Sequence, residues 1–308
     1  MLSNPMDVKE LFPVRKTRGQ KQAFRDAVQD YAAKLGYSVT VEKGSCGVRN
    51  IIIGDPETAS YLVSAHYDTP ARLPFPNLIT PCSFVPFVLY QLLQVAVFVA
   101  VYVGVLMGSN LLLGNENISS VLALMSLWLV MALMLVGPAN RHNSNDNTSG
   151  VVTLLEIART MPENQRHKVC FVLFDLEEAG LLGSAAYRKA HKKASNSQLV
   201  LNLDCVGDGD HIRLFPTKAL KKNKKKLTSL YKACGYFGGK DILVREKGFS
   251  VYPSDQRHFP YGVGICALKD SRFGLYIGKI HTRRDQTLEQ TNVNILRAAL
   301  TTFITCDN

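Results

Sequence analysis

Tyr61-Leu-Val-Ser-Ala-His66 is one of three short apolar runs in this 308-residue chain that end in an imidazole or a carboxylate. The other two are Val169-Cys-Phe-Val-Leu-Phe-Asp-Leu-Glu-Glu178 and Leu199-Val-Leu-Asn-Leu-Asp204. Short continuous apolar runs are typical of buried parallel strands, and open α/β sheets bind their ligands beyond the carboxyl ends of such strands. The sequence therefore predicts an α/β fold with a polar site at one edge of the sheet.

Seven side chains near these strand ends and in later loops are suited to metal binding. They are His66, Asp68, Asp146, Glu177, Glu178, Asp204 and His281. Carboxylates that converge on one crevice raise each other's pKa unless cations neutralise them, so this many acids favour two divalent metal ions over one. Mixed imidazole and carboxylate ligands suit zinc, with manganese or cobalt as alternatives, and leave room for a bound water. The predicted site is therefore hydrolytic.

Each of these motifs also has a purely structural interpretation. A lone His-x-Asp at a strand end commonly turns the chain, and Asp146 can simply cap the helix that follows it. Glu177 and Glu178 can be a solvated pair at a helix start, where the helix dipole favours acids. The ordered recurrence of these motifs at the ends of successive elements favours a site instead.

Taken together, the motifs resemble those of the di-zinc aminopeptidases of peptidase family M28, clan MH. The matching stretches are His66-Tyr-Asp68, Asn145-Asp-Asn-Thr-Ser-Gly150, Glu177-Glu178, Asp204 and Ile280-His-Thr-Arg-Arg-Asp285. That family also contains carboxypeptidases, glutaminyl cyclases and inactive receptor ectodomains. The resemblance implies a zinc-exopeptidase-like fold, in which helices flank a mixed central sheet.

Metal ligands and catalytic roles follow from this resemblance. It implies that one zinc ion is held by His66, Asp146 and Asp204. A second ion is then held by Asp146, Glu178 and His281, so that Asp146 bridges the two. Glu177 is implied to be the general base, which takes a proton from the attacking water and passes it to the leaving amine.

Two acidic residues are expected to support the ligands. Asp68 is two residues after His66 and on the same side of an extended chain, so it is placed to orient the imidazole through its second nitrogen. Asp285 is expected to play a similar part behind His281.

The stretch Ser254-Asp-Gln-Arg-His-Phe259 resembles a family segment near the substrate pocket. It predicts substrate-side roles for Ser254, Asp255 and His258. Family members often have histidine directly after Ser-Asp, where this chain has Gln256. His258 therefore either replaces that histidine or lies in a loop.

A long apolar insertion separates His66 from Asp146. Between Arg72 and Arg141 the only charged residue is Glu116. Residues 84–107 and 118–136 are each long enough to cross a bilayer, and a polar linker over residues 108–117 joins them. We predict a transmembrane helical hairpin over residues 84–137, inserted into a single discontinuous metallopeptidase domain of residues 1–83 and 138–308. A buried hairpin or a hydrophobic subunit contact is the alternative.

The charge pattern predicts the side of the membrane. Arg72 and Arg141 flank the hairpin whereas its linker has neither Lys nor Arg, which is typical of a domain that faces the cytoplasm. No apolar signal segment is seen before Lys21. Seven cysteines without paired spacing fit a reducing compartment. We therefore predict an integral protein of the plasma membrane with a cytoplasmic catalytic domain.

The formal net charge is +11, and the run from Lys218 to Lys226 concentrates it on one predicted helix. A solvated helix face is one interpretation, and contact with anionic headgroups of the cytoplasmic leaflet is the other. Nucleic acid is not expected as a partner, because no recognition motif or interleaved aromatic residues accompany the charge.

Apolar periodicity and cap residues predict the remaining elements. Helices are expected over residues 18–35, 147–161, 179–192, 218–234 and 290–305. Strands are expected over residues 38–42, 48–53, 60–65, 211–215, 241–245, 263–268 and 274–279, besides the apolar runs quoted above.

The sequence as a whole predicts a membrane-anchored di-zinc metallopeptidase, an aminopeptidase that removes N-terminal residues. Its substrate is expected to be a peptide or an amide-linked compound, including lipophilic ones that partition into the bilayer. Hydrolysis of N-acyl amino acids and glutaminyl cyclisation are the alternative activities. A non-catalytic membrane receptor or scaffold is a further alternative, although it gives no reason to retain Glu177.

Overall fold

Nine strands form one mixed sheet within the part of the chain that the structure, a computed structural model, describes: residues 2–73, 75 and 77–306. The strands are β1 (Val39–Lys43), β2 (Arg49–Ile53), β3 (Tyr61–His66), β4 (Val169–Phe174), β5 (Leu199–Leu203), β6 (His211–Pro216), β7 (Gly235–Phe237), β8 (Lys240–Val244) and β9 (Gly262–Leu268). Their order across the sheet is β1-β2-β4-β3-β5-β9-β6-β8-β7.

Helices precede, interrupt and follow these strands along the chain. The α-helices are α1 (Val8–Leu11), α2 (Arg18–Lys34), α3 (Phe84–Leu113), α4 (Glu116–Val136), α5 (Ser149–Thr160), α6 (Leu182–Ala190), α7 (Lys192–Ser195), α8 (Lys218–Lys222), α9 (Lys224–Leu230) and α10 (Gln290–Cys306). A 3₁₀ turn, Asp255–His258, precedes β9.

The centre of the sheet consists of four parallel strands in the order β4-β3-β5-β9. Each of them is buried along its whole length, which explains their continuous apolar sequences. The register places His66, the last residue of β3, opposite Phe174, the last residue of β4. The carboxyl ends of β3, β4 and β5 therefore meet at one edge of the sheet.

Helices cover both faces of this sheet, as predicted for the α/β class. On one face α2, α5 and α10 contribute Phe24, Leu155 and Phe303 to a large apolar core. On the other face Tyr187 of α6 belongs to a second, smaller cluster. Successive strand residues alternate between the two clusters, since side chains along a strand point to opposite faces. The central strands are thus fixed from both sides, which holds the sheet edge rigidly.

Most predicted elements are confirmed, and two helices depart from prediction for local reasons. The helix predicted over residues 218–234 is broken at Asn223, whose side chain accepts a hydrogen bond from the Lys226 N–H and so caps α9. The helix predicted over residues 179–192 begins only at Leu182. Residues 175–181 instead form a loop at the sheet edge, in which Leu181 has a left-handed φ of 60°.

The strand predicted over residues 274–279 is wrong. Gly274 and Lys279 at its two ends have left-handed φ angles of 101° and 69°, which interrupt an extended backbone. The stretch makes only isolated bridges, Ile277 with Ile79 and Tyr276 with Lys269. It therefore does not join the sheet as a strand, although Ile277 belongs to an apolar cluster with Cys266 and Leu268 of β9, against which Ile79 also packs. The short strand β7 has no counterpart among the predicted strands.

The apolar insertion folds as two long helices that pack against each other. At 1.5 Å per residue, the 30 residues of α3 and the 21 residues of α4 extend about 45 Å and about 32 Å. A bilayer has a hydrocarbon core of about 30 Å, so both helices are long and apolar enough to cross one. Ser119 and Ala123 of α4 are fully buried, and small residues of this kind allow close packing of membrane helices.

The turn between these helices is shorter than predicted. α3 continues past residue 107 to Leu113, so only Gly114 and Asn115 remain of the linker predicted over residues 108–117. Gly114 has a left-handed φ of 63° and donates its N–H to the Asn110 carbonyl. The Asn115 side chain accepts from the N–H groups that open α4. The apolar residues Leu111 to Leu113 continue the helix where the polarity of the whole stretch suggested a loop.

His191, between α6 and α7, connects three separate parts of the domain. One ring nitrogen contacts Glu57, in the loop after β2, and the other lies 2.7 Å from Glu42 Oε2 in β1. Because both nitrogens face carboxylates, both must donate and the ring must be protonated. Burial acts against the charge of His191, but the hydrogen bonds with Glu57 and Glu42 outweigh it and raise the pKa of the imidazole.

This contact predicts how stability depends on pH. The stabilisation by His191 should be complete below its unfolded-state pKa of about 6.5 and disappear as the pH rises through the raised pKa of the folded protein. His191→Gln should lower the free energy of unfolding by roughly 1 kcal/mol at low pH and remove this component of the pH dependence. Denaturant unfolding of the detergent-solubilised chain, from about pH 5.5 to about pH 8.5, measures both effects.

His167→Gln is the matched control, because His167 is exposed. That variant should keep the pH profile of the wild type. A wild-type profile that is indistinguishable from that of His191→Gln would contradict the assignment.

Candidate metal centre

Loops at the carboxyl edge of the sheet bring the predicted metal ligands together. The ligand side chains come from the ends of β3, β4 and β5 and from the segments before α5 and α10: His66, Glu178, Asp204, Asp146 and His281. Glu177 joins them, and all six line one cavity of about 180 Å³. The structure thus gathers residues that span more than 200 positions of sequence into one small polar space.

The Asp146 carboxylate lies at the centre of this space. Its Oδ1 is 3.3 Å from His66 Nε2, and its Oδ2 is 3.0 Å from His281 Nε2. Asp204 Oδ1 is 3.8 Å from the same nitrogen of His66, and Glu178 Oε2 is 3.6 Å from that of His281. Two groups of three ligands therefore share Asp146, and within each group the ligand atoms lie within 4.8 Å of one another.

Burial makes these acids unfavourable as unpaired carboxylates. It raises the pKa of Glu177 well above its ordinary value, and although His66 opposes this, the nearby carboxylates of Glu178 and Asp204 add to it. Burial and the neighbouring Asp146 likewise raise the pKa of Glu178. Positive charge placed among these side chains would stabilise their ionised forms.

The two histidines respond in the opposite direction. Burial opposes protonation of His66 and His281, but the carboxylates around them outweigh it and raise the pKa of both rings. Burial also opposes ionisation of Asp146, yet the hydrogen bonds with His281 and His66 hold the pKa of its carboxyl well below the usual range. Protonated imidazoles would thus supply the positive charge that stabilises the buried carboxylates. A bound metal ion would supply that charge in their place.

The donor set fits divalent metal ions. Imidazole nitrogens and carboxylate oxygens in groups of three are typical of zinc sites that leave a coordination position open. The group His66, Asp146 and Asp204 could hold one ion, and the group Asp146, Glu178 and His281 could hold another. Each group has more carboxylates than imidazoles, so a divalent ion in each would balance the local charge.

Asp68 supports the loop that carries the two glutamates. Its Oδ1 accepts the Glu177 N–H at 3.0 Å, and its Oδ2 accepts the Glu178 N–H at 3.2 Å. The predicted contact with His66 is looser, because Oδ1 lies 3.5 Å from His66 Nδ1, which is long for a hydrogen bond. Asp68 therefore fixes Glu177 and Glu178 through the backbone more firmly than it orients the imidazole.

Asp285 supports a different ligand from the one predicted. It was expected behind His281, but its two carboxylate oxygens accept the N–H groups of Asn145 and Asp146 at 2.8 Å and 3.0 Å. The bridging position of Asp146 thus depends on Asp285. Burial and the nearby Asp146 charge raise the pKa of Asp285 to about 8.

Asn147 is a positioning residue that sequence reasoning missed. Its side-chain amide donates to the Leu203 carbonyl at 2.9 Å, and its Oδ1 accepts the N–H groups of Gly150 and Cys205. It therefore ties the end of β5 to the start of α5, so that Asp146 and Asp204 are held together. In the sequence the only signal was its place in the Asn145-to-Gly150 motif, where a helix start explained it equally well.

The backbone around the ligands is unusual as well. Leu176, Cys205 and His281 have left-handed φ angles of 54°, 55° and 59°, and each is a predicted ligand or lies within two residues of one. Residues other than glycine pay an energetic penalty of order 1–3 kcal/mol for such conformations, which persist where the surroundings enforce them. These strained residues lie where the backbone turns so that the ligand side chains point into the cavity.

The segment Ser254 to Phe259 is hydrogen-bonded to β5. Ser254 Oγ and Gln256 Oε1 both accept from the Asn202 side-chain amide in β5, so Gln256 holds the loop on the sheet. His258 Nδ1 lies 2.8 Å from Ser184 Oγ, and the ring lines a separate cavity of about 730 Å³. His258 therefore does not face the metal ligands, which favours the loop interpretation. Asp255 is fully buried, and burial raises its pKa to about 7.

The remaining wall of the metal cavity comes from segments at the base of the hairpin. Asn77 and Ile79, between β3 and α3, form one side, and Tyr252 and Pro253 form another. The Tyr252 hydroxyl donates to the Asp204 carbonyl at 2.9 Å. These residues were not predicted, since their distance in sequence from the ligands gave no indication of contact.

Those wall segments are attached to α3. The ring of Phe249 packs against Phe84 and Phe87 with centroid distances of 5.3 Å. The Val251 N–H donates to the Pro81 carbonyl at 3.0 Å. This part of the cavity wall therefore lies beside the base of the hairpin.

The contact of Asp285 predicts a change in metal retention. Asp285→Asn replaces one acceptor oxygen by an NH₂ group that cannot accept a backbone N–H, so the Asp146 loop should loosen. Metal affinity should fall roughly 10- to 100-fold, the usual effect of removing an outer support. Competition between the full chain and a chromophoric zinc chelator measures it.

Asp270→Asn is the control, because Asp270 is an exposed carboxylate in the same region. It should retain zinc like the wild type. Unchanged retention in Asp285→Asn would show that the Asp146 loop does not need this contact.

Known proteins are similar to this chain in sequence or in fold. Aminopeptidase YwaD of Bacillus subtilis (strain 168) is 40% identical over 67 residues, which cover 21% of this chain and only 15% of that protein. Glutaminyl cyclase of Bacteroides thetaiotaomicron, solved bound to N-acetylhistamine, is similar with a TM-score of 0.60 and 16% identity, over 99% of this chain and 96% of that one. A Zn-dependent exopeptidase of Parabacteroides distasonis ATCC 8503 has a TM-score of 0.58 and 15% identity, over 99% and 98% of the two chains.

At identities this low, the solved structures show only that the fold is shared. Family membership is shown by the match to a family profile. The profile described as Peptidase family M28 matches residues 136–304, a range that contains Asp146, Glu177, Glu178, Asp204 and His281. Since this match covers more than half of the 308 residues, the chain belongs to peptidase family M28.

Proposed function

We propose that this protein is a membrane-anchored di-zinc metallopeptidase, an aminopeptidase that removes N-terminal residues. One observation carries the proposal: the two oxygens of Asp146 face two different histidines, while Glu177 lines the same cavity. If Asp146 only capped the helix that follows it, it would use one carboxylate oxygen and would need no contact with two imidazoles. Membership of a peptidase family gives independent support.

The residues that would hold the metal ions are His66, Asp146 and Asp204 on one side and Asp146, Glu178 and His281 on the other. Zinc ions bound there would act as Lewis acids that polarise the scissile carbonyl and lower the pKa of water. Manganese or cobalt would suit the same oxygen and nitrogen donors.

Glu177 is proposed as the general base. It takes one proton from the attacking water and later delivers it to the nitrogen of the leaving amine, so that it returns to its starting state. Burial raises its pKa, and a carboxylate with a raised pKa holds a transferred proton better than an exposed one. Asp68 fixes the backbone of Glu177 and Glu178 together, which keeps the base apart from the adjacent metal ligand.

The shape of the site favours a substrate end over the middle of a chain. The cavity has a volume of only about 180 Å³, below the roughly 300–1,000 Å³ of typical ligand pockets, so it admits one end of a peptide. Glutaminyl cyclisation is the second candidate activity, because the fold is shared with glutaminyl cyclases. Hydrolysis of N-acyl amino acids would use the same catalytic groups. A non-catalytic scaffold would have no use for Glu177.

The hairpin is proposed to span the membrane and to place the site at its surface. Most apolar side chains of α3 and α4 are exposed on the described chain, which suits contact with lipid. The wall segments of the cavity are fastened to the base of α3. Substrate would therefore enter beside the membrane surface.

A lipophilic substrate is the finer proposal. A second cavity, of about 450 Å³, is almost wholly apolar and lies between the hairpin and Leu78. Leu78 is adjacent in sequence to Asn77 and Ile79, which line the metal cavity. One short segment thus separates the two cavities, so a peptide or amide with an apolar tail could place its tail near lipid and its amide near the metals.

The catalytic domain is proposed to face the cytoplasm from the plasma membrane. Arg72 and Arg141 lie close to the hairpin, and the backbone bridge between Ala71 and Ala139 joins its two ends. Exposed lysines of α8 and α9, within Lys218 to Lys226, are proposed to contact anionic headgroups.

Glu177→Gln should abolish most activity and leave the metals bound. The amide is nearly isosteric but cannot accept the proton, so kcat should fall by roughly 10²- to 10⁴-fold with little change in KM. Hydrolysis of aminoacyl amides, together with metal content, measures both. Glu163→Gln, at an exposed position, should behave like the wild type.

A substrate panel separates the candidate activities in the same assay. Free amino-terminal amides should be cleaved, N-acylated amides should not, and glutaminyl peptides should release no cyclic product. Full activity of Glu177→Gln would exclude it as the base, and cyclic product from glutaminyl peptides would replace the aminopeptidase proposal by the cyclase.

Cysteine labelling tests the orientation. Asn117, at the start of α4, and Cys46, in the catalytic domain, are both exposed. A membrane-impermeant maleimide should label Asn117→Cys in intact expressing cells, because the linker lies on the outer side. The wild type should be labelled at Cys46 only after permeabilisation. Labelling of Cys46 in intact cells would reverse the proposed orientation.

A further inference from the structure

A separate pocket, of about 320 Å³, lies beside the start of the loop that leads to Glu177, and its wall is strongly basic. Among the described residues its charged lining consists of Lys16, Arg18, Lys21, Arg25, Arg49 and Asp175. Five cations thus face one carboxylate. Like charges gathered around an enclosed space raise its positive potential, which favours an anion there.

The single carboxylate is already engaged. Asp175 accepts from Lys21 Nζ at 2.6 Å and from the N–H groups of Arg49 and Leu176. No carboxylate within the described ranges forms an ion pair with Lys16, Arg18, Arg25 or the Arg49 guanidinium. Four positive charges of the pocket are therefore not neutralised by an ion pair among the described residues.

Arg25 adds a buried cation to the wall of this pocket. The residue is only 1% exposed, and two of its guanidinium nitrogens donate to Tyr67 Oη and Gln22 Oε1. Its Nε–H is buried and has no acceptor among the described residues. A buried guanidinium without a carboxylate partner is unfavourable, so negative charge in the pocket that Arg25 lines would stabilise it.

The position of the pocket indicates where the anion comes from. Lys16 Nζ donates to the Leu135 carbonyl at 3.3 Å, in the last turn of α4. The pocket therefore lies where the hairpin leaves the proposed membrane on the side of the catalytic domain. Burial, with Lys21 nearby, lowers the pKa of Lys16 even though Glu178 and Asp68 oppose this.

We propose that this pocket binds the phosphate group of an anionic phospholipid headgroup. Guanidinium groups match phosphate oxygens in a forked geometry, and three of the five cations are arginines. The bound headgroup would accept from the accessible guanidinium groups of Arg18 and Arg49, stabilise the buried charge of Arg25 and fix the catalytic domain on the membrane surface. The headgroup would also contact the pocket wall at Asp175 and Leu176, the two residues that precede Glu177, and so stabilise their position. The inference rests on the proposed membrane placement and not on the peptidase activity.

The test uses the full chain in a neutral detergent and three soluble probes: dihexanoyl phosphatidylglycerol, dihexanoyl phosphatidylcholine and inorganic phosphate. Binding is measured by calorimetry at fixed ionic strength in the wild type and in Arg18→Gln/Arg49→Gln, which removes two accessible cations without touching Arg25. Lys189→Gln/Lys193→Gln removes the same charge from exposed positions on α6 and α7, outside the lysine run that is proposed to contact headgroups. Unfolding without ligand checks that each variant folds.

Phosphatidylglycerol should bind the wild type more tightly than either other probe. Each cation removed from the pocket should weaken it roughly fivefold, the value of one basic side chain near an anionic surface. The lysine variant should bind like the wild type. Equal loss in both double variants would assign the effect to overall charge, and preference for inorganic phosphate would exclude the lipid. Either result would overturn the proposal, and neither depends on whether the protein hydrolyses peptides.

Discussion

The contact of one buried carboxylate with two imidazoles is the interaction on which the site depends. Asp146 can face His66 and His281 together only because its backbone is held by Asp285 and its neighbour Asn147 is fixed to β5. The parallel strands below are buried on both faces, so the ends that carry His66 and Asp204 cannot shift independently. A loosely held carboxylate would contact only one imidazole, and the other imidazole would have no partner.

The sequence predicted the role of a residue when that role depended on its neighbours in the chain. It did not predict roles that depend on contacts with distant segments. The apolar runs ending at His66 and Asp204 signalled both a buried strand and a polar end, so the sheet and the candidate ligands were predictable. The roles of Asp285 and Asn147 were not, because each acts through backbone groups of a segment distant in sequence. The strand expected over residues 274–279 failed for a similar reason. Its apolar content was correct, but left-handed residues at its ends prevent it from joining the sheet as a strand.

The base of the hairpin is attached to the wall of the site. It leaves the chain between His66 and Asp146, and its base is packed against the loop that carries Tyr252 and Pro253. A domain tethered by a flexible linker would have a cavity independent of its anchor. Here the cavity wall, the apolar cavity beside Leu78 and the basic pocket at Lys16 all lie around the same two helix ends. The proposed membrane attachment and the access of substrate are therefore expected to be linked.

The most direct test of the central claim is the metal content of the full chain, purified in mild detergent and measured by plasma mass spectrometry. We expect about two zinc ions per chain in the wild type and about one in each of His66→Ala and His281→Ala, because the two imidazoles belong to different groups that share Asp146. A single ion in the wild type, lost in both variants alike, would contradict the bridging role of Asp146 and with it the proposed di-zinc centre.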